Sequence, residues 1–257
     1  STSSTTVSGL SPNTEYDFYV RSICGSTDSS NFVGPISSQT FCSDTAAPHF
    51  ENFDASVIQC WTQSPNDVFD WTLNSGTTSS NPTGPSDDVT GGGNYMYIET
   101  SSPRVPGDSA VLLSPSIDVS SLSSAELSFY YHMFGASIGT LNIDLSNDGG
   151  ATFNNIWSKS GDQGDQWVQE IVQLTGATTT AIVRFTGTVG DNGSGVQYWG
   201  DIAIDNFEVR QAASCPQPSA LSASNVGPST ADISWTAGGT ETSWNVEYGS
   251  AGFTLGT

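Results

Sequence analysis

Short runs of alternating apolar and polar residues recur along the whole chain, broken by Gly, Asn, Ser, Asp and Pro. Alternation at period two marks a strand with one buried face. The clearest runs are Tyr16 to Cys24, Tyr95 to Thr100, Ala125 to Phe134, Thr140 to Ser146, Trp167 to Leu174 and Thr179 to Thr186. No stretch carries the apolar spacing of a convincing amphipathic helix. The pattern predicts an all-β chain built as sandwiches.

At 257 residues the chain is long enough for one large or two small domains with real cores. Only 5 Lys and Arg stand against 26 Asp and Glu, a formal charge of −21. Such a surface repels nucleic acid and anionic lipid, whose phosphates need cationic partners. It suits multivalent cations, which take clustered oxygen ligands. Low hydrophobicity with high charge can mean disorder. Here 7 Trp, 8 Tyr and 12 Phe, with β-branched residues spaced as strands, argue for a folded chain. No stretch is long and apolar enough to span a bilayer, so no direct membrane insertion is expected. Ser1 to Thr6 lack the features of a signal peptide, which suggests a piece of a longer protein.

The cysteines are Cys24, Cys42, Cys60 and Cys215. They form no CxxC pair and suggest no zinc cluster. Wide spacing in an acidic β-rich chain fits disulfides in an oxidising, extracellular place. Neither H-E-x-x-H, G-x-S-x-G nor a phosphate-binding Gly loop occurs, and His49 and His132 lie far apart. No pair of carboxylates is singled out for glycoside hydrolysis. The expected class is non-enzymatic.

The run Leu10-Ser11-Pro12-Asn13-Thr14-Glu15-Tyr16 resembles the corner before strand F of a fibronectin type III (Fn3) domain, where a Tyr hydroxyl bonds back onto the preceding turn. Residues 1–42 look like strands E, F and G alone. Residues 213–257 resemble the other half, strands A, B, C and C′. Ala231 to Trp235 reads as strand B, Trp244 to Tyr248 as strand C, and C′ runs out near Gly256-Thr257. Residues 215–257 followed by 1–42 read as one continuous seven-stranded domain. This implies a tandem repeat in the parent protein.

Between the halves, residues 43–212 hold a different block. Phe50-Glu51, Cys60-Trp61-Thr62-Gln63, Phe69-Asp70-Trp71, Gly93 to Ile98, Ala110 to Pro115, Leu127 to Gly135 and Gly200 to Phe207 follow in order. Over residues 48 to 211 the order and spacing resemble a MAM domain, a jelly-roll sandwich of adhesive surface proteins and secreted enzymes. Asp87-Asp88-Val89 departs from the family's frequent Asp-His-Thr. The fold class is therefore all-β: a central MAM-type jelly roll with half Fn3 sandwiches at both ends. Trp61, Trp71, Phe129 and Tyr131 are expected in its core. Ser146 to Phe153 resembles an Asp-box hairpin, a tight turn without activity.

The resemblance implies further features. A structural calcium ion is expected to tie first and last strands, with candidate ligands Glu51, Asp54, Asp108, Asp201 and Asp205. Cys42 is expected to pair with Cys60, which flank entry into the MAM-like block. Cys215 is expected to pair with Cys24 of a neighbouring repeat or copy. Tyr198 and Trp199 could stack on sugar rings, although core or loop packing explains aromatics more often. The leading reading is a repeat unit of a secreted cell-surface adhesin or filament stalk, in the style of Bacteroidetes proteins exported by the type IX route. Its partners would be neighbouring repeats or copies of itself through Fn3 completion, with glycans or surface proteins as further partners. The alternative is a carbohydrate-binding accessory region of a secreted hydrolase; ancillary domains of a secreted protease come third.

Overall fold

A computed structural model describes residues 3–40, 42–193, 195, 197–215, 217–239 and 241–250. Among these residues every regular element is a strand. They are β1 (Glu15–Val20), β2 (Val33–Gln39), β3 (Thr45–Ala46), β4 (His49–Glu51), β5 (Thr62–Gln63), β6 (Thr72–Asn74), β7 (Tyr95–Ile98), β8 (Ser109–Leu113), β9 (Ile117–Asp118), β10 (Ala125–Met133), β11 (Thr140–Ser146), β12 (Asn154–Ser160), β13 (Val168–Gln173), β14 (Thr180–Thr188), β15 (Ile202–Gln211), β16 (Ser219–Ser224) and β17 (Asp232–Thr236). The chain divides into two compact units, Ser1–Gln211 and Ala212–Thr257.

In the first unit two sheets face each other as a jelly-roll sandwich. One runs β13-β10-β15-β7-β6, with β4 also paired to β15. The other runs β12-β11-β14-β8-β5, with β9 on β14 and β3 on β9. The pairs are antiparallel except β3–β9. Period-two burial explains the layering: β14 alternates strictly, with Ala181, Val183 and Phe185 buried inward. Between the sheets runs an aromatic chain. Phe129 meets Trp157 at 5.4 Å and Phe185 at 5.6 Å; Phe207 meets Phe185 at 6.0 Å and Trp61 at 5.0 Å. Each fully buried Phe contributes roughly 1.5–3 kcal/mol over an exposed one. Trp71, Phe129 and Tyr131 are in the core as expected, and Trp61 packs against it half-buried. The Trp71 indole N–H, buried with its ring, donates to the Ala110 carbonyl at 3.0 Å.

The Asp-box turn forms between β11 and β12. The Asp148 carboxylate accepts from the Thr152 amide and hydroxyl and from the Ser146 hydroxyl. These bonds hold it down at about 2. Gly149 and Gly150 supply the positive φ, +73° and +89°, that the turn needs.

Residues 3–40 contain two of the three expected strands, β1 and β2, joined antiparallel. β1 stops at Val20, short of the expected end at Cys24, and Ile23 makes only an isolated bridge to Ser29. In the second unit β16 pairs with β17, which matches the expected strand B. Trp244 to Tyr248, expected as strand C, joins no ladder among the described residues. Strand-like alternation needs a partner edge to become a strand, and none of the described residues is paired to it. The expected end of C′ at Gly256-Thr257 lies outside the described residues.

Candidate functional site

Residues 75–94 link β6 to β7 and are rich in Gly, Pro, Ser and Thr. The segment lies across the outer face of the first sheet. Bonds from several elements tie it there. The Trp167 indole donates to Asp87 O at 2.9 Å, and the Trp199 indole donates to Asn81 O at 3.0 Å. The Thr83 hydroxyl donates to Phe134 O at 2.9 Å, and the Tyr95 hydroxyl donates to Gly76 O at 2.6 Å. An outer face would normally be wet. Under this cover Tyr95, His132, Asp201 and Asp205 are buried.

Asp205 stands on β15 at a register shift, beside Asn206 with φ 49°. Its carboxylate accepts from the Val89 amide at 2.9 Å and from the Asn206 amide at 2.7 Å. Asp88, on the covering segment, accepts from the Gly93 amide at 2.8 Å and the Thr90 amide at 2.9 Å. Asp54, in the turn after β4, accepts from the Asn94 amide at 2.9 Å. Gly93 is where these acids meet. A Cβ there would lie 1.9 Å from Asp54 Oδ1 and 3.0 Å from Asp88 Oδ2. Burial, then Asp88 and Asp54, push the Asp205 carboxyl up to about 6. Burial also pushes Asp88 up, but hydrogen bonds from Thr90 and Gly93 outweigh it and the net shift is downward.

The expected ligands therefore separate. Asp54 and Asp205 come together, and Asp88 joins them. Glu51 lies opposite Phe207 in the β4–β15 ladder, and its carboxylate accepts from the Phe53 amide at 2.9 Å. Asp108 is elsewhere, capping the Val105 amide at 2.9 Å in its own turn. Asp201 belongs to another cluster. Its Oδ1 accepts from the Thr100 amide at 3.1 Å, its own amide donates to the Thr83 hydroxyl at 3.0 Å, and its buried Oδ2 has no hydrogen-bond partner among the described residues. Burial, then the Glu99 carboxylate, raise the Asp201 carboxyl to about 7. Glu99 is itself held by the Ser79 hydroxyl and the Ser101 amide. Among the described residues no three His, Cys, Asp or Glu side chains already form a metal cage. The Asp54–Asp88–Asp205 set nevertheless has the chemistry for a hard cation: oxygen donors from three distant segments, with Asp88 and Asp205 buried. Asp88 was legible only as a departure from a family pattern.

His132, in β10, is buried, meets the Trp167 ring edge-on at 5.5 Å and lies 3.2 Å from Asp165. Burial lowers its pKa against Asp165, which favours the neutral ring. Tyr198 is 41% exposed, while Trp199 is half-buried and anchored; their rings meet at 4.9 Å. A groove of about 630 Å³ opens on the second sheet over Val111, Leu113 and Ile182. Arg184 crosses it, 4.2 Å above the Phe153 ring and 2.9 Å from Asp144. Cys42 and Cys60 form a disulfide. Cys24 and Cys215 are free and exposed thiols.

Residues 49–216 match the family profile described as MAM domain, meprin/A5/mu. The chain belongs to the MAM domain family. MAM domain-containing glycosylphosphatidylinositol anchor protein 2 of Mus musculus is 37% identical over 179 residues, 64% of this chain and 18% of that protein. MAM domain-containing glycosylphosphatidylinositol anchor protein 1 of Homo sapiens is 37% identical over 195 residues, 73% of this chain and 19% of that protein. The chain thus spans less than a fifth of either relative's length. Among solved structures, the K1 cleaved adhesin domain of Lys-gingipain from Porphyromonas gingivalis W83 aligns at TM-score 0.47 and 17% identity, over 65% of this chain and 99% of that one. The CBM22-1 xylan-binding domain of Paenibacillus barcinonensis Xyn10C aligns at TM-score 0.38 and 11% identity, over 67% of this chain and 100% of that one. In the MAM sandwich of this chain, the covering segment 75–94 and the acids beneath it are the most elaborated polar feature.

Proposed function

We propose that this chain is a non-catalytic, extracellular adhesion module: a repeat unit of a secreted cell-surface adhesin or stalk, whose MAM sandwich is clamped by calcium. Membership of the MAM family carries the reading. Relatives named as glycosylphosphatidylinositol anchor proteins support a cell-surface setting. Calcium would be held by Asp54, Asp88 and Asp205. It would fasten the covering segment to β15 and the turn after β4, and neutralise acids that pair with no Lys or Arg among the described residues.

Two measurements test this. Calcium titrated into the chelator-treated chain should give binding heat in the range of extracellular calcium modules, about 0.1–1 mM. It should also raise the thermal midpoint. Asp88→Asn with Asp205→Asn should abolish both effects. Absence of heat and of a thermal shift in the unmodified chain would end the calcium reading. For adhesion, beads coated with the full chain should stick to cells in calcium more than albumin-coated beads do. Equal retention counts against the adhesin.

The second reading, a carbohydrate-binding accessory region, is favoured by the exposed Tyr198 ring beside Trp199. It predicts retention on immobilised polysaccharide that Tyr198→Ala removes.

A further inference from the structure

Asp201 is held rigidly and has one carboxylate oxygen to spare. It stands just before β15 and is fully buried. The preceding Gly200 leaves no slack, since a Cβ there would lie 2.6 Å from Ser137 O and 3.1 Å from Thr100 Oγ1. Asp201 Oδ1 is occupied by the Thr100 amide at 3.1 Å and the Thr100 hydroxyl at 3.3 Å. Oδ2 is buried and has no hydrogen-bond partner among the described residues. A bare buried carboxylate oxygen is costly, so a positive or proton-donating group belongs beside it.

The neighbours offer oxygen. Thr78, buried on the covering segment, lies beside Asp201. Its hydroxyl hydrogen is directed at the Thr83 carbonyl at 3.1 Å, which leaves lone pairs for other neighbours. Glu99, just after β7, is near enough for its carboxyl and that of Asp201 to hydrogen-bond when one is protonated. The Ser101 amide at 3.0 Å and the Ser79 hydroxyl already orient Glu99. Neither acid pairs with a Lys or Arg among the described residues. Arg104 shares a cavity of about 370 Å³ with Glu99, but its guanidinium sits 4.5 Å over the Phe69 ring. That cavity gives a small ion a route from solvent to Glu99. Burial and ligand number favour a monovalent ion. Calcium takes about 6–8 oxygen ligands, more than this closed corner supplies. Hydration energy scales with the square of the charge, so a monovalent ion gives up only about a quarter as much on burial. The Asp54–Asp88–Asp205 set differs, because Asp54 is exposed and water can complete a calcium shell there.

We propose that Asp201 Oδ2, the Glu99 carboxylate and the Thr78 hydroxyl oxygen seat a sodium ion, a cation site separate from the Asp54–Asp88–Asp205 set. The ion ties the covering segment to the end of β7 and the start of β15. A proton serves the same oxygens in acid, and sodium takes its place once the acids are ionised. The site does not depend on calcium binding elsewhere.

Thermal midpoints of the full chain at about pH 8, with chelator present, test the site. Sodium chloride is compared with tetramethylammonium chloride at the same ionic strength, so that screening is equal. Sodium should give the higher midpoint in the unmodified chain. Above the dissociation constant, each tenfold rise in sodium should add about 3–5 °C. Glu99→Gln should abolish the difference between the two salts, and so should Asp201→Asn. Each variant keeps the shape of the side chain it replaces, and if one fails to fold the other decides. Asp88→Asn with Asp205→Asn should retain the difference, which separates this site from the calcium clamp. Equal midpoints in the two salts for the unmodified chain would overturn the proposal. So would a sodium-dependent difference that survives Glu99→Gln and Asp201→Asn, or one that vanishes in Asp88→Asn with Asp205→Asn.

Discussion

The hydroxyl oxygen of Tyr16 accepts a hydrogen bond from the backbone amide of Ser11 at 2.8 Å. The ring thus pins the turn that leads into β1, while the Thr14 hydroxyl closes that turn onto Pro12 O at 2.8 Å. A solvent-exposed bond of this kind is worth about 1 kcal/mol. Tyr16→Phe should therefore speed Ser11 amide exchange about fivefold, measured by NMR. An unchanged rate would mean that the bond does not protect the amide.

Gly139 precedes β11 where that strand meets the end of β14. A Cβ there would stand 1.8 Å from Thr188 O and 2.7 Å from the Gly190 amide nitrogen. Both obstacles are backbone and cannot swing aside. Gly139→Ala should cost about 1–3 kcal/mol or more, read as a lower guanidinium midpoint. A midpoint within error of the unmodified chain would show that the two loops separate freely.

Asp201 makes stability depend on pH. Burial and Glu99 hold its carboxyl at about 7 in the folded chain, against about 4 when unfolded. The raised value means that the folded state favours the protonated acid. That contribution is complete below the unfolded value and is lost as pH rises through about 7. The thermal midpoint of the unmodified chain should fall relative to Asp201→Asn between about pH 4 and pH 7. Asp205, at about 6, pulls in the same direction, so the difference between the two proteins isolates Asp201. Parallel curves would count against a buried acid that is neutral at low pH.

The Cys42–Cys60 disulfide closes a loop over a sequence separation of 18. It ties the approach to β3 to the turn before β5. By loop-closure entropy, Cys42→Ser with Cys60→Ser should cost about 3 kcal/mol. Unfolding with and without reductant should show the same loss in the unmodified chain and none in the double variant.

The strands were legible because period-two alternation is a local property: a residue's side follows from its neighbours. Ala125 to Phe134, Thr140 to Ser146 and Thr179 to Thr186 appear as β10, β11 and β14 within a residue or two of their ends. The Asp148 turn and the Tyr16 corner were legible for the same reason, since their bonds span only a few residues. Trp244 to Tyr248 shows the limit, because the same alternation becomes a strand only when a second edge bonds to it. The acids show it more sharply. Glu51, Asp54, Asp108, Asp201 and Asp205 read as one possible set from sequence. The fold instead places Asp54 and Asp205 with Asp88, Asp201 with Glu99, and Asp108 in a turn of its own. What decided this was the path of residues 75–94 across the outer face of the first sheet. That path depends on contacts between residues about 80 to 120 positions apart. Such contacts leave no periodic mark on the sequence. They form only when the whole sheet offers a surface to cover.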